Sequence, residues 1–223
     1  ANNFWLYDLN AKVNHRFNQN HQLFVSFYTG RDAYLAKEGS PQDLSALRLH
    51  WGNLTGTARY THALSPKLFG RLALTTTRFR YVLATENRVS ADDAAYGLRL
   101  SNGIRDYTGK YQLDFAVSPT ATLRAGLEWM HHRYEPANSS ATSPDLPAPR
   151  ARNPAITAVE SAGFVETDWR PLPHVLVNAG ARLSRYAVDG RVFGGWEPRA
   201  SVRYTGWPNW TVTGGYGLMR QYI

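Results

Sequence analysis

The residues with most capacity for chemistry are the adjacent pairs His131-His132 and Asp92-Asp93, which could supply the base and carboxylate of a hydrolase. Their spacing argues against it, because neighbours on an extended strand point to opposite faces and each pair can offer only one member to a site. No serine stands in a nucleophile-elbow motif. The seven histidines are spread along the chain, cysteine is absent and no His-x-x-x-His pair occurs, so neither a thiolate nor a helical-histidine metal site is available. Gly214-Gly215-Tyr216-Gly217 has the glycine content of a phosphate loop, but the run alternates as a strand and no helix follows. Asn53-Leu54-Thr55, Asn138-Ser139-Ser140 and Asn209-Trp210-Thr211 match glycosylation sequons by spelling, and two of them lie in or beside strands predicted below to cross a membrane. The expectation is a chain with no catalytic residue, no metal site and no cofactor.

The elements that carry these residues are strands. From Asp106 to Val117, Tyr107, Gly109, Tyr111, Leu113, Phe115 and Val117 share one parity, against Asp106, Thr108, Lys110, Gln112, Asp114 and Ala116. After a turn at Ser118-Pro119-Thr120-Ala121, Leu123, Ala125, Leu127 and Trp129 continue the apolar face, opposite Arg124, Glu128 and His132. This period of two is the signature of a β-hairpin with one greasy and one wet face. Slipping the first arm by one residue would expose Lys110, Gln112 and Asp114 to the apolar side, at about 2–4 kcal/mol for a basic group at a bilayer midplane.

The same unit recurs along the chain. Trp5 to Phe17, Gln22 to Ala36, Trp51 to Leu64, Leu68 to Thr85, Ile156 to Trp169, Val175 to Ser184 and two later runs read as strands, about ten in all. In Ile156 to Trp169 the facing stays open, because Glu160, Glu166 and Asp168 share a parity with Phe164. Short turns at Asn18, Ser65, Ser118, Pro171 and Trp207 alternate with connections predicted to be long, at Lys37–Leu47, Glu86–Ala95, Ala137–Pro154 and Ala187–Gly195. Outer-membrane barrels have this asymmetry, with short turns on the periplasmic side and longer loops outside. Trp5 to Phe17 would extend about 40 Å at about 3.3 Å per residue, enough to span a bilayer when tilted. Aromatics gather near strand ends, with Phe17, Phe69, Phe115, Trp169, Trp207 and Trp210 by the short turns. Trp5, Trp51, Tyr81, Tyr107, Trp129, Tyr134 and Tyr186 lie toward the other end, as two interfacial girdles would require. The competing reading places these rings in the core of a large soluble β-protein.

Composition agrees with a barrel without selecting it. The mean hydropathy of −0.43 would suit a soluble protein, but a barrel turns only alternate residues to lipid, so its average is uninformative. No apolar run is long enough for a membrane helix. The formal charge of +8 is dispersed over the strands rather than clustered, which argues against a nucleic-acid partner.

Several words in the sequence then point to a family. Tyr7-Asp8-Leu9, Gly30-Arg31-Asp32, Trp51-Gly52-Asn53 with Ser65-Pro66-Lys67, and Asp106-Tyr107 with Asp114-Phe115 resemble the barrel of TonB-dependent receptors. So do His132-Arg133-Tyr134-Glu135-Pro136, Glu166-Thr167-Asp168-Trp169, Gly180-Ala181-Arg182-Leu183 and Glu197-Pro198-Arg199-Ala200, with a flavour of the Bacteroidetes, SusC-like type. The resemblance implies an all-β, antiparallel up-and-down transmembrane β-barrel in the outer membrane of a Gram-negative bacterium, residues 1–223 giving about ten strands of about 22. It implies a plug and a TonB-contacting segment outside this sequence, TonB and outer-membrane lipids as partners, and a lid lipoprotein by analogy. The implied function is energised uptake of a scarce nutrient such as a siderophore, glycan or peptide, or else a structural barrel holding partner proteins by its outer loops. With the first short turn periplasmic, both ends of the sequence would lie outside the cell, so a piece of a larger barrel is expected. Lys110, Asp114 and Glu128 would look into the lumen, and the resemblance adds Arg182, Arg199 and Arg203 as contacts for a plug or ligand. Trp5, Tyr107, Phe115, Trp129, Trp169 and Trp210 would mark the lipid interface.

Overall fold

A computed structural model describes residues 2–40, 43–88, 96–142, 150–151 and 153–222. Its strands are β1 (Asn2–Asn18), β2 (His21–Gly39), β3 (Leu44–Ser65), β4 (Leu68–Arg88), β5 (Tyr96–Ser118) and β6 (Ala121–Thr142). They continue with β7 (Arg150–Ala151), β8 (Ile156–Leu172), β9 (Val175–Val188), β10 (Arg191–Trp207) and β11 (Trp210–Gly217). Among the described residues there is no helix. One antiparallel sheet runs β1-β2-β3-β4-β5-β6-β8-β9-β10-β11, each strand paired to its sequence neighbour, with the two-residue β7 lying beside β6. That is the up-and-down order expected, with ten strands on the main path.

A constant stagger shapes the sheet. His21 pairs with His62, three residues short of the end of β3, and Leu68 with Phe115, three short of the end of β5. Ala121 and Trp169, and Val175 and Tyr204, repeat the offset. The same hydrogen bond closes each step: Ala63, Ala116, Arg170 and Thr205 donate their N–H to the carbonyls of Asn20, Lys67, Thr120 and His174 at 2.8–2.9 Å. Three residues of about 3.3 Å against two strand spacings of about 4.8 Å correspond to a tilt of about 45°, within the range of closed barrels. The turns below are tight and locally capped: Asn18 Oδ1 accepts from Asn20 N at 2.8 Å, and Ser65 Oγ and Ser118 Oγ accept from Lys67 N and Thr120 N at 3.2 Å.

At the opposite end the expected long connections need correction. β2 and β3 are joined by residues 40–43 alone, and β9 and β10 by Asp189-Gly190. Both of those residues have positive φ, 48° and 74°, which suits the right-handed twist of a two-residue hairpin. Much of the described part of Ala137–Pro154, expected as loop, is also strand, since β6 runs to Thr142 and β7 pairs with it. Residues 89–95, with Asp92-Asp93, and 143–149 lie outside the described residues. Strands continue past the point where their alternation ends, β2 pairing with β3 to Gly39 and β6 with β5 to Thr142.

The apolar face is where most large hydrophobics sit, and they are exposed: Leu127 is 67% accessible, Trp196 63% and Val165 52%. No large apolar core exists among the described residues, where Val82 is the one large side chain below 2% exposure. A sheet that buries so little on itself needs an apolar medium against that face.

Candidate lumenal charge network

Cross-strand register brings the polar face together. Lys110 on β5 stands directly opposite Glu128 on β6, with Nζ 2.5 Å from the carboxylate. Arg182 on β9 donates to the second oxygen of Glu128, and its other nitrogen lies 3.6 Å from Glu160. Nearer the short turns, Asp114 faces Arg124 and Arg124 faces Glu166. Arg124 Nε donates to Asp114 Oδ1 at 2.7 Å, Nη1 donates to Glu166 Oε1 at 2.6 Å, and Nη2 lies 3.7 Å from Asp168. Arg199 on β10 donates to the other oxygen of Glu166. The result is two charge ladders crossing strands β5 to β10, lining a cavity of about 480 Å³ that includes Gln112, Asp114, Arg124, Glu166, Arg182 and Arg199.

The chemistry of this arrangement is mutual neutralisation. Each carboxylate has at least one guanidinium or ammonium, and forked arginine geometry satisfies two acceptors at once. Glu166 is 13% exposed and Glu128 22%, so unpaired carboxylates here would carry a desolvation cost. Phe164 fills the gap between ladders, its ring lying over Gly126, where an added Cβ would come within 2.5 Å of it, and Lys110 Nζ sits 5.4 Å from its centroid. That contact settles the facing of β8: Glu160, Phe164, Glu166 and Asp168 belong to the polar face, and Val159 and Val165 to the apolar one.

Five of the six expected polar-face residues are thus engaged within the wall: Lys110, Asp114, Glu128, Arg182 and Arg199. Arg203 has no described carboxylate partner. Arg124, Glu160, Glu166 and Asp168 are the members not singled out as site residues from sequence, although Arg124 shared the polar parity of Glu128. Trp5, Tyr107, Phe115, Trp129, Trp169 and Trp210 all have apolar-face register. Phe69, Trp51, Tyr81, Tyr134 and Tyr186 do not: they register on the polar side, Phe69 with Asp114, Trp51 with Asp32, Tyr81 with Asn102 and Tyr186 with Glu160, which removes them from an interfacial girdle.

The histidine pair divides as strand geometry requires. His132 Nδ1 lies 2.8 Å from Asp106 Oδ1 on the polar face, whereas His131 lies on the other face between Tyr107 and Trp129. Neither has a serine or a second carboxylate arranged for catalysis among the described contacts, and no group of three or more metal-ligating side chains occurs among the described residues.

Comparison with known proteins places this wall. The family model described as TonB dependent receptor-like, beta-barrel, matches residues 2–218. No curated protein sequence matches the chain. Among solved structures, the ferric preacinetobactin receptor BauA from Acinetobacter baumannii superposes with a TM-score of 0.64 at 10% identity, over 96% of this chain and 39% of that one. The siderophore receptor PiuA from Acinetobacter baumannii gives 0.66 at 8%, over 97% and 42%. The ferric-catecholate import receptor Fiu from E. coli K12, in its closed form, gives 0.58 at 11%, over 96% and 43%. At these identities the likeness is one of fold, and the chain spans about two fifths of the length of those structures.

Proposed function

The chain belongs to the TonB dependent receptor-like β-barrel family, and from that premise we propose that it is the wall of an outer-membrane receptor that takes up a scarce nutrient through a plugged barrel. The observation that carries the reading is the family match over almost the whole chain, on a staggered antiparallel sheet with one exposed apolar face and one charge-paired face. In this reading the apolar face meets lipid, the polar face lines a lumen, and the short turns point to the periplasm. A Gram-negative outer membrane is then the location, and residues 1–223 form about ten strands of a barrel whose plug and other strands lie elsewhere in the protein.

Lys110, Asp114, Glu128, Arg182 and Arg199 hold the wall together in this proposal, and Arg203, the one of the six without a described charged partner, is available to meet a plug carboxylate. The named functions of the three structural neighbours make an iron chelate the first substrate class to try. The words that resemble the SusC-like branch make a glycan or peptide the second, with a lid lipoprotein as its companion. The test is uptake of radiolabelled ferric siderophores, glycans and peptides by cells carrying or lacking the gene, each with and without a functional TonB. Accumulation of one class should need both. A substrate whose uptake persists without TonB, or no difference on deleting the gene, would overturn the proposal.

A further inference from the structure

The apolar face carries no described Asp, Glu, Lys or Arg from the short turns upward until a single level, where it changes abruptly. Arg31, Arg78, Arg80, Arg105, Arg133 and Arg185 all stand on this face ten to thirteen residues from the short-turn ends of their strands. At about 3.3 Å per residue and a tilt of about 45°, that is about 23–30 Å above the turns, the upper edge of an apolar band about 25 Å tall.

Three of these arginines form a row in register. Arg78 is directly opposite Arg105, and Arg105 directly opposite Arg133, on three successive strands. Like charges directly opposed destabilise a sheet, and of this row only Arg133 has a described carboxylate, Glu135 at 3.6 Å. Acidic side chains return to this face at Glu135 and Glu86, the latter 3.2 Å from Arg48, where the strands have risen further from the turns. The unpaired guanidinium groups therefore stand at one level of one face.

Beside the row is a cleft of about 270 Å³ lined by Tyr7, Arg31, His50, Arg78, Arg80 and Arg99. Its floor is opened by Gly52, which lies in register between Arg31 and Arg80. The Arg31 guanidinium is held 5.6 Å over the Trp5 ring at the cleft's edge. Below the same strands runs an apolar groove of about 540 Å³ between Val25, Phe27, Ala58, Leu74, Tyr107 and Trp129, floored by Gly56 and Gly109.

We propose that the cleft and groove together form a binding site for a phosphorylated lipid of the outer leaflet, its phosphate held by Arg31, Arg78 and Arg80 of the cleft, beside Arg105 of the row, and an acyl chain laid in the groove. The guanidinium fork matches phosphate bidentately, and a phosphate there would relieve the repulsion within the arginine row. A free phosphate would use the cleft and leave the groove unexplained; an amphiphile uses both. The proposal rests on the outer-membrane reading above, which sets which side is lipid.

The experiment uses the full-length protein, delipidated in neutral detergent, and native mass spectrometry. Three probes are compared: monophosphorylated lipid A, the same lipid with its phosphate removed enzymatically, and inorganic phosphate. The wild type should retain the phosphorylated lipid about tenfold more strongly than the dephosphorylated one, a difference of about 1.4 kcal/mol. A triple variant Arg78→Gln, Arg80→Gln, Arg105→Gln should lose that preference, and the triple Arg→Lys variant should keep part of it. Native-like, heat-modifiable migration in cold detergent gels shows which variants are folded barrels, and the lysine variant keeps the comparison intact if the glutamine one fails to fold. Equal retention of the two lipids by wild type, an unchanged preference in the glutamine variant, or full displacement by millimolar inorganic phosphate would each overturn the proposal. A wild type that forms no heat-modifiable membrane barrel would instead overturn the outer-membrane reading itself.

Discussion

Arg124 is the single side chain whose loss should disturb the wall most. It joins Asp114 and Glu166 by two charge-assisted hydrogen bonds at 2.7 and 2.6 Å and stands 3.7 Å from Asp168. Replacing it by alanine removes both bonds and leaves the carboxylates of Asp114 on β5 and Glu166 on β8 facing one another across β6. Hydrogen bonds to charged groups contribute about 1.5–3 kcal/mol each, and with the side chain 32% exposed, solvent screening reduces the pair to a net loss of about 2–3 kcal/mol. The perturbation is coupled, because Glu166 also holds Arg199. Arg124→Ala, Glu166→Ala and the double variant of the full-length protein should be compared by urea unfolding in liposomes, followed by tryptophan fluorescence. The double variant should cost at least about 1 kcal/mol less than the sum of the single ones, since each single change strands a charge that the double change removes. Additivity within about 0.5 kcal/mol would show that these groups act independently and would refute the ladder as a stabilising unit.

Two further outcomes concern the two faces and the turns. Leu127 is 67% exposed on the apolar face, six residues above the start of β6, so Leu127→Arg should cost about 2–4 kcal/mol in the same unfolding assay. Thr108→Arg on the polar face should cost less than about 1 kcal/mol, and equal costs would reverse the assignment of faces. Gly190 has a φ of 74° with open space around it, so Gly190→Ala tests backbone strain alone: it should lower stability by about 1 kcal/mol, and a neutral result would show that the Asp189-Gly190 turn relaxes freely.

What could be read from sequence follows the physics of each segment. In the halves of β5 and β6 nearest their shared turn every apolar-face position carries a hydrophobic or small residue and the opposite parity is mostly polar, so hairpin, register and facing were all legible. In β8 the apolar-face positions include Ser161, Gly163 and Thr167, while Phe164 turns inward to cover Gly126, so parity alone left the facing open. Above the apolar band, as at Lys37, Asn138 or Val188, neither face is selected for hydrophobicity, and strand looked like loop. The Arg124–Glu166 contact joins residues 42 apart, and its register depends on the three-residue stagger, which leaves no mark in composition. The same stagger turns arginines that are dispersed along the sequence into a row.

The pairing pattern also bears on where a plug would be held. Lys110, Arg124, Arg182 and Arg199 are occupied by wall carboxylates, so an incoming acidic side chain would have to displace an existing partner at roughly equal benefit. The polar-face cations without a described carboxylate partner include Arg16, Arg59, Arg71 and Arg203, and each lies within six residues of a short turn. Arg59 lies over the Phe24 ring at 4.9 Å and Arg71 over Phe69 at 5.8 Å, arrangements that hold a guanidinium in place while leaving its donors available. In the proposed orientation these four line the periplasmic end of the lumen. Fixed attachment of a plug by charge would therefore concentrate at that end, and the paired ladders above it would present a wall whose charges already satisfy one another, suited to letting a ligand pass.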